Sequence, residues 1–156
     1  MASRRTPRLL AEEGFNWHGD ALNDDLPYLK YFNTAPLVAF PSSMECSDLP
    51  LYLRHHNPPR VMLDTFEDWL NYARRYERGA ARIDPTIHAH VSGGPAGMAI
   101  LHRMIEIAQA AEDVWIGTQS GAVRYILTQY ADAASPLIRR RLRGRRRPVL
   151  PRPRRQ

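Results

Sequence analysis

Apolar and polar residues follow two different periods along this chain. From Thr65 the apolar positions Phe66, Trp69, Leu70, Ala73 and Tyr76 recur at spacings of three and four, which is one face of a helix. Thr65 with Asp68 resembles a capping box in which Asp replaces the usual Glu or Gln, and Gly79 ends the segment. Met98, Leu101, Met104, Ile105 and Ala108 predict a second helix. Val123, Ile126, Leu127 and Tyr130 predict a third, capped by Thr118. A shorter helix runs from Thr6-Pro7 to Gly14, because Thr caps, Pro suits a first turn and Gly suits a stop.

Compact apolar segments between these helices predict strands at Phe15–Trp17, Pro36–Phe40, Thr86–Val91 and Val114–Ile116. Strands alternating with helices imply an α/β architecture with parallel strands. Residues 42–63, with Pro50, Pro58 and Pro59, read as mostly irregular, and His55-His56 as exposed.

A chain of 156 residues is long enough for one domain with a core and too short for two ordinary ones. Its formal charge of +6 is unevenly spread: ten of the 22 basic residues lie from Arg139 onward, where there is no acid. The body before that point therefore holds 12 basic residues against 16 acids. We divide the chain into a domain over residues 4–134 and an Arg/Pro-rich tail over residues 135–156 that is expected to be disordered. That tail would bind polyanions without selectivity, since it has positive charge but no aromatic interleaving. The single cysteine, Cys46, excludes an internal disulfide and a cysteine-only zinc site. No apolar run approaches a membrane span, and the N-terminus lacks the apolar core of a secretory signal. A cytoplasmic location is the default expectation.

Three segments carry candidate chemistry. His18-Gly-Asp-Ala-Leu-Asn-Asp-Asp-Leu-Pro-Tyr28 places Asp20, Asp24 and Asp25 in a loop, because Asn and Asp bond their own backbone and Pro fixes φ. With Trp17 before it and Tyr28 after it, the loop is either the floor of a polar site or a solvated surface turn. His88 sits late in a predicted strand before Ser92-Gly-Gly-Pro-Ala-Gly97, where a general acid could reach a substrate. The alternative is a histidine simply hydrogen-bonded near a loop. His90 shares its parity on an extended segment, so the two could also form a metal pair with a third ligand from Asp24 or Asp25. The Gly-rich segment lacks the residues of a P-loop and reads better as a tight turn. Cys46 has no neighbouring base and reads as a small buried residue.

Several of these segments together resemble one family. Leu9-Leu-Ala-Glu-Glu-Gly-Phe15, Asn23-Asp-Asp-Leu-Pro-Tyr28, the strand ending at Pro41, Ile87-His-Ala-His-Val-Ser-Gly-Gly-Pro95 and Val114-Trp-Ile116 look like the C-terminal half of a polysaccharide deacetylase (NodB-homology) domain, in its allantoinase-like branch. The resemblance implies part of a distorted (β/α) barrel that hydrolyses non-peptide C–N bonds, in N-acetyl sugars or in a cyclic ureide such as allantoin. It makes His88 the general acid that protonates the leaving amine. It places Asp24 and Asp25 on the substrate side, and the flanking Trp17 and Tyr28 are candidate substrate-binding residues from their position beside the loop.

There are departures from the pattern. His90 and Gly94 stand where the branch usually has Arg. The early Asp-Asp motif, source of the base and of a metal ligand, is not found, and no His-x-x-x-His occurs in the chain. A partial domain, inactive alone, follows from the resemblance, with no cofactor in this fragment although the full-length family can use a divalent metal such as zinc. Its expected partners are a sugar or small-molecule substrate and either the missing half or a second copy. The other readings are a non-catalytic carbohydrate- or ureide-binding module and a basic-tailed nucleic-acid binder.

Overall fold

A computed structural model of the chain describes residues 3, 5–32 and 35–130. In chain order it contains α1 (Thr6–Glu12), β1 (Trp17–Ala21), β2 (Tyr28–Phe32), β3 (Ala35–Pro41), a π-type turn (Leu49–Arg54), α2 (Arg60–Tyr76), α3 (Ala89–Ser92), α4 (Pro95–Ala110) and α5 (Gln119–Tyr130). These elements form two compact units, one from the described residues up to Ser42 with those of 117–130, the other from Ser43–Ile116. The expected tail, residues 135–156, lies outside the described residues.

The first unit is built on a three-stranded sheet of order β1-β3-β2. Trp17 on β1 and Leu29 on β2 both pair with Val38 on β3, so the three side chains share one face. Val38 and Phe40 pack there with Val123 and Ile126 of α5, and Trp17 sets its ring edge-on to Phe40 at 5.9 Å. The next row, His18, Ala39 and Tyr28, points to the opposite face. Gly14 closes α1 with a φ of 80°, a left-handed conformation that favours a residue without Cβ.

The sheet is mixed rather than parallel. β1 runs parallel to β3, but β2 is antiparallel to it in a register that pairs Phe32 with Ala35. A link of two residues permits only an antiparallel return, since a parallel crossover needs a dozen residues or more. The sequence pattern had no strand at 28–32, where every residue is half-buried and no alternation is visible. Among the described residues the strands make this one open sheet and not a closed barrel.

The second unit is helical. α2 begins at Arg60 rather than Thr65. The Thr65 hydroxyl donates to the Val61 carbonyl at 2.8 Å, a bond made inside a helix and not at its start. Met62, Leu63, Phe66 and Leu70 of α2 meet Met104 and Ala108 of α4 around Cys46. Tyr76, expected on this face, is 58% exposed and stacks on Tyr72 instead. Likewise Ile105 is exposed, while Ile100 and Ile107 pack against the cluster. The inner face of α4 is therefore turned from the expected one.

Two expected strands are replaced. Thr86 makes a single parallel bridge to Ser47, after which the chain coils into α3. Residues 114–116 have no regular structure. Among the described residues no helix is long and apolar enough to cross a membrane.

Candidate active site

The bridge at Thr86 builds the site. The Thr86 amide donates to the Cys46 carbonyl at 2.9 Å, and the Asp48 amide donates back to the Thr86 carbonyl at 3.1 Å. This pins Asp48 beside the segment that carries His88. Beyond the bridge the two strands of chain part: Pro50 leads one into the π-type turn, and His88 caps α3 in an extended conformation.

The Asp48 side chain is fully buried, at 0% exposure, and a carboxylate buried without partners would be very costly. Its two oxygens are satisfied three times. Oδ1 lies 2.7 Å from His88 Nδ1, while Oδ2 accepts from the His88 amide at 2.7 Å and from the Ser92 hydroxyl at 2.7 Å. Burial pushes the carboxyl up, but the hydrogen bonds from the His88 ring, the His88 amide and Ser92 together outweigh it and leave it below its ordinary value. Asp48 is thus an anion at neutral pH. It holds the proton of the imidazole on Nδ1, which leaves Nε2 as the nitrogen free for chemistry. The His88 side chain is 35% exposed, so that nitrogen can be reached while its anchor is shielded.

Ser92 is itself buried, at 3% exposure. A Cβ at Gly97 would stand 2.3 Å from the Ser92 carbonyl oxygen. The glycine lets the start of α4 close on Ser92 and so fixes the hydroxyl that holds Asp48. The tight-turn reading of Ser92–Gly97 is the one the structure supports.

The histidine pair is arranged differently from the expectation. His88 and His90 do not share a strand face, because Ala89–Ser92 is a helical turn. Their rings nevertheless lie 5.7 Å apart, edge to face.

The other candidates lie in the first unit. Asp24 and Asp25 are exposed, and Asp24 Oδ1 accepts from the amides of Asp25 at 2.8 Å and Leu26 at 3.4 Å. This is a turn in which an Asp side chain bonds the backbone two residues on. The Tyr28 hydroxyl donates to Asn23 Oδ1 at 2.8 Å, and Trp17 packs on Phe40. The Asp24, Tyr28 and Trp17 side chains each have a partner within their own unit. Cys46 is buried and accordingly inert: burial first, and Asp84 second, push its thiol up to about 11.

Asp48 and Ser92 were not singled out by sequence. The one cue was an acid set between Cys46 and Leu49-Pro50-Leu51, in otherwise apolar company. Among the described residues no group of three or more His, Cys, Asp or Glu is arranged to hold a metal ion. The donors present therefore do not fit the metal that the resemblance implies.

The backbone as a whole matches known structures. An allantoinase, Puue, superposes with a TM-score of 0.72 at 26% identity over 83% of this chain and 45% of its own. A protein described as a polysaccharide deacetylase from Pseudomonas aeruginosa PAO1 gives a TM-score of 0.72 at 25% identity, over 83% and 45%. Another from Mycobacterium smegmatis gives 0.73 at 26%, over 83% and 47%. This chain has the fold of part of a polysaccharide deacetylase domain. It spans less than half the length of these deacetylase and allantoinase structures. No family model and no curated protein matches it in sequence.

Proposed function

We propose that this deacetylase-like chain corresponds to the C-terminal half of a hydrolase of non-peptide C–N bonds, and that His88 is its general acid. The supporting observation is the buried Asp48 carboxylate on His88 Nδ1. When the C–N bond breaks, the departing nitrogen must gain a proton. A protonated His88 supplies it from Nε2, and Asp48 stabilises the imidazolium and keeps the ring in place. Ser92 keeps Asp48 in place. An N-acetyl sugar and a cyclic ureide both end in such a leaving nitrogen, which is why one acid serves either substrate.

The base that activates water is the upstream carboxylate of the family pattern, which this sequence does not show. Turnover then requires a second segment, and the chain alone is inactive. Asp24 and Asp25, on the resemblance, and Tyr28 and Trp17, which flank their loop in sequence, are the proposed substrate side. The location we propose is the cytoplasm.

The test is to titrate the chain with N-acetylglucosamine oligomers and with allantoin while following histidine resonances. Shifts at His88 and the Ser92 amide are expected with one of the two, and no hydrolysis. Binding that leaves His88 unmoved would favour the non-catalytic binding module. Hydrolysis that survives His88→Ala would remove His88 from the mechanism.

A further inference from the structure

The contact between Asp48 and His88 needs a backbone that stays in place at Asp48. On one side the bridge to Thr86 holds it. On the other the chain passes straight into the π-type turn, with Asp48 as its flanking residue. Wide turns of this kind are rare, occur mostly singly and are frequent at functional sites, and one turn alone is too short to be stable in water. Its exit is strained as well. His56 has a φ of 54°, a left-handed conformation uncommon for a residue with a Cβ, which persists where the surroundings hold it.

Those surroundings close a ring around Asp48. Before it, the Cys46 thiol donates to the Met62 carbonyl at 3.9 Å. After it, the Tyr52 hydroxyl donates to the Pro59 carbonyl at 3.0 Å, and the Asn57 amide donates to the Leu51 carbonyl at 3.0 Å. Pro59 caps α2 and Met62 lies in its first turn. Both arms of the 46–52 segment therefore end on the start of one helix, which the burial of Met62 and Leu63 fixes. A thiol is a weak donor, so the phenol is the stronger anchor. Among the described residues it makes the turn's only side-chain hydrogen bond. The Tyr52 ring packs against the same cluster. Burial first, then Asp48 and Cys46, raise its hydroxyl above the ordinary value, so it keeps its proton at neutral pH.

We propose that Tyr52 is a positioning residue for the Asp48–His88 pair, its hydroxyl on Pro59 setting the turn that aims the carboxylate at His88 Nδ1. Its bearing on catalysis rests on the general-acid reading, whereas its bearing on the histidine tautomer does not.

The probe is Tyr52→Phe in the full chain, ¹⁵N-histidine-labelled at pH 8, beside the unaltered chain. Tyr52→Phe keeps the ring that packs on the cluster and removes only the hydroxyl. Leu70→Val, in the same cluster but outside the ring of bonds, reports what a merely structural loss does. In Tyr52→Phe the ratio of Nδ1- to Nε2-protonated His88 should fall by about 2–10-fold, the worth of the one hydrogen bond removed. The His88 amide proton should move upfield as its bond to Asp48 lengthens. Leu70→Val should change neither. A His88 still held at Nδ1 in Tyr52→Phe, or an equal change in Leu70→Val, would overturn the proposal and leave the general-acid reading standing. Protonation at Nε2 in the unaltered chain would overturn both.

Discussion

The two units treat polar groups in opposite ways. The first gathers its conspicuous acids, Asp24 and Asp25, into an exposed turn that bonds itself. Its one buried histidine, His18, at 8% exposure, has no hydrogen-bond partner for Nε2 among the described residues. The second unit buries a single carboxylate, Asp48, and gives it three donors. A run of charge in sequence marks a turn, whereas one acid taken out of water and fully paired marks a place where geometry is being held. The proposed general acid accordingly belongs to the second unit.

The largest effect should come from removing that carboxylate. Asp48→Ala strands the His88 amide and the Ser92 hydroxyl, and a lost buried partner costs about 1–3 kcal/mol. Chemical denaturation should show destabilisation of roughly 3 kcal/mol, near the top of that range because two donors are orphaned. Loss below roughly 0.5 kcal/mol, the level of an ordinary surface change, would break the contrast. Gly97→Ala comes next. Its methyl meets the Ser92 carbonyl, so overpacking of about 1–3 kcal/mol is expected, with displaced Ser92 and His88 resonances. An unperturbed His88 would show that α4 does not set the site.

Acid should separate the units. Burial lowers His18 first, Lys30 adds to this, and Asp20 opposes. A folded-state value below 6.5 means that the unfolded chain takes up the proton first. The first unit then loses stability as pH falls below that ordinary value. Asp48 is held below its ordinary 3.8, so its contribution is full above that pH and lost only as pH falls through the folded value. Hydrogen exchange at pH 5 against pH 7 should therefore show amides of 17–41 opening before those of 46–92. Simultaneous opening would remove the distinction.

The smallest effect belongs to the acidic loop. Asp24→Asn keeps the side-chain acceptor of the turn, and with Asp25→Asn should change stability by less than about 0.5 kcal/mol. A melting shift well beyond that would show the loop to be more than a solvated turn.

What could be read in sequence follows the same division. Apolar spacing located α2, α4 and α5, because Phe66, Leu70, Met104, Val123 and Ile126 are buried by their own periodicity. His88 was visible through its neighbours in the family pattern. Asp48 was not, because its importance comes from Thr86, which is remote in sequence and brings His88 to it. The π-type turn and β2 also escaped. The first departs from the helical period, and the second is half-buried throughout. Tyr76 shows the converse, an apolar position that keeps the spacing yet faces water.

The central claim is that Asp48 commits His88 to one tautomer with Nε2 open. Long-range nitrogen–proton NMR of the ¹⁵N-histidine-labelled chain at pH 8 tests it most directly. The account predicts His88 protonated at Nδ1 and bare at Nε2, with that preference lost in Asp48→Asn. His88 protonated mainly at Nε2, or unchanged in Asp48→Asn, would contradict it.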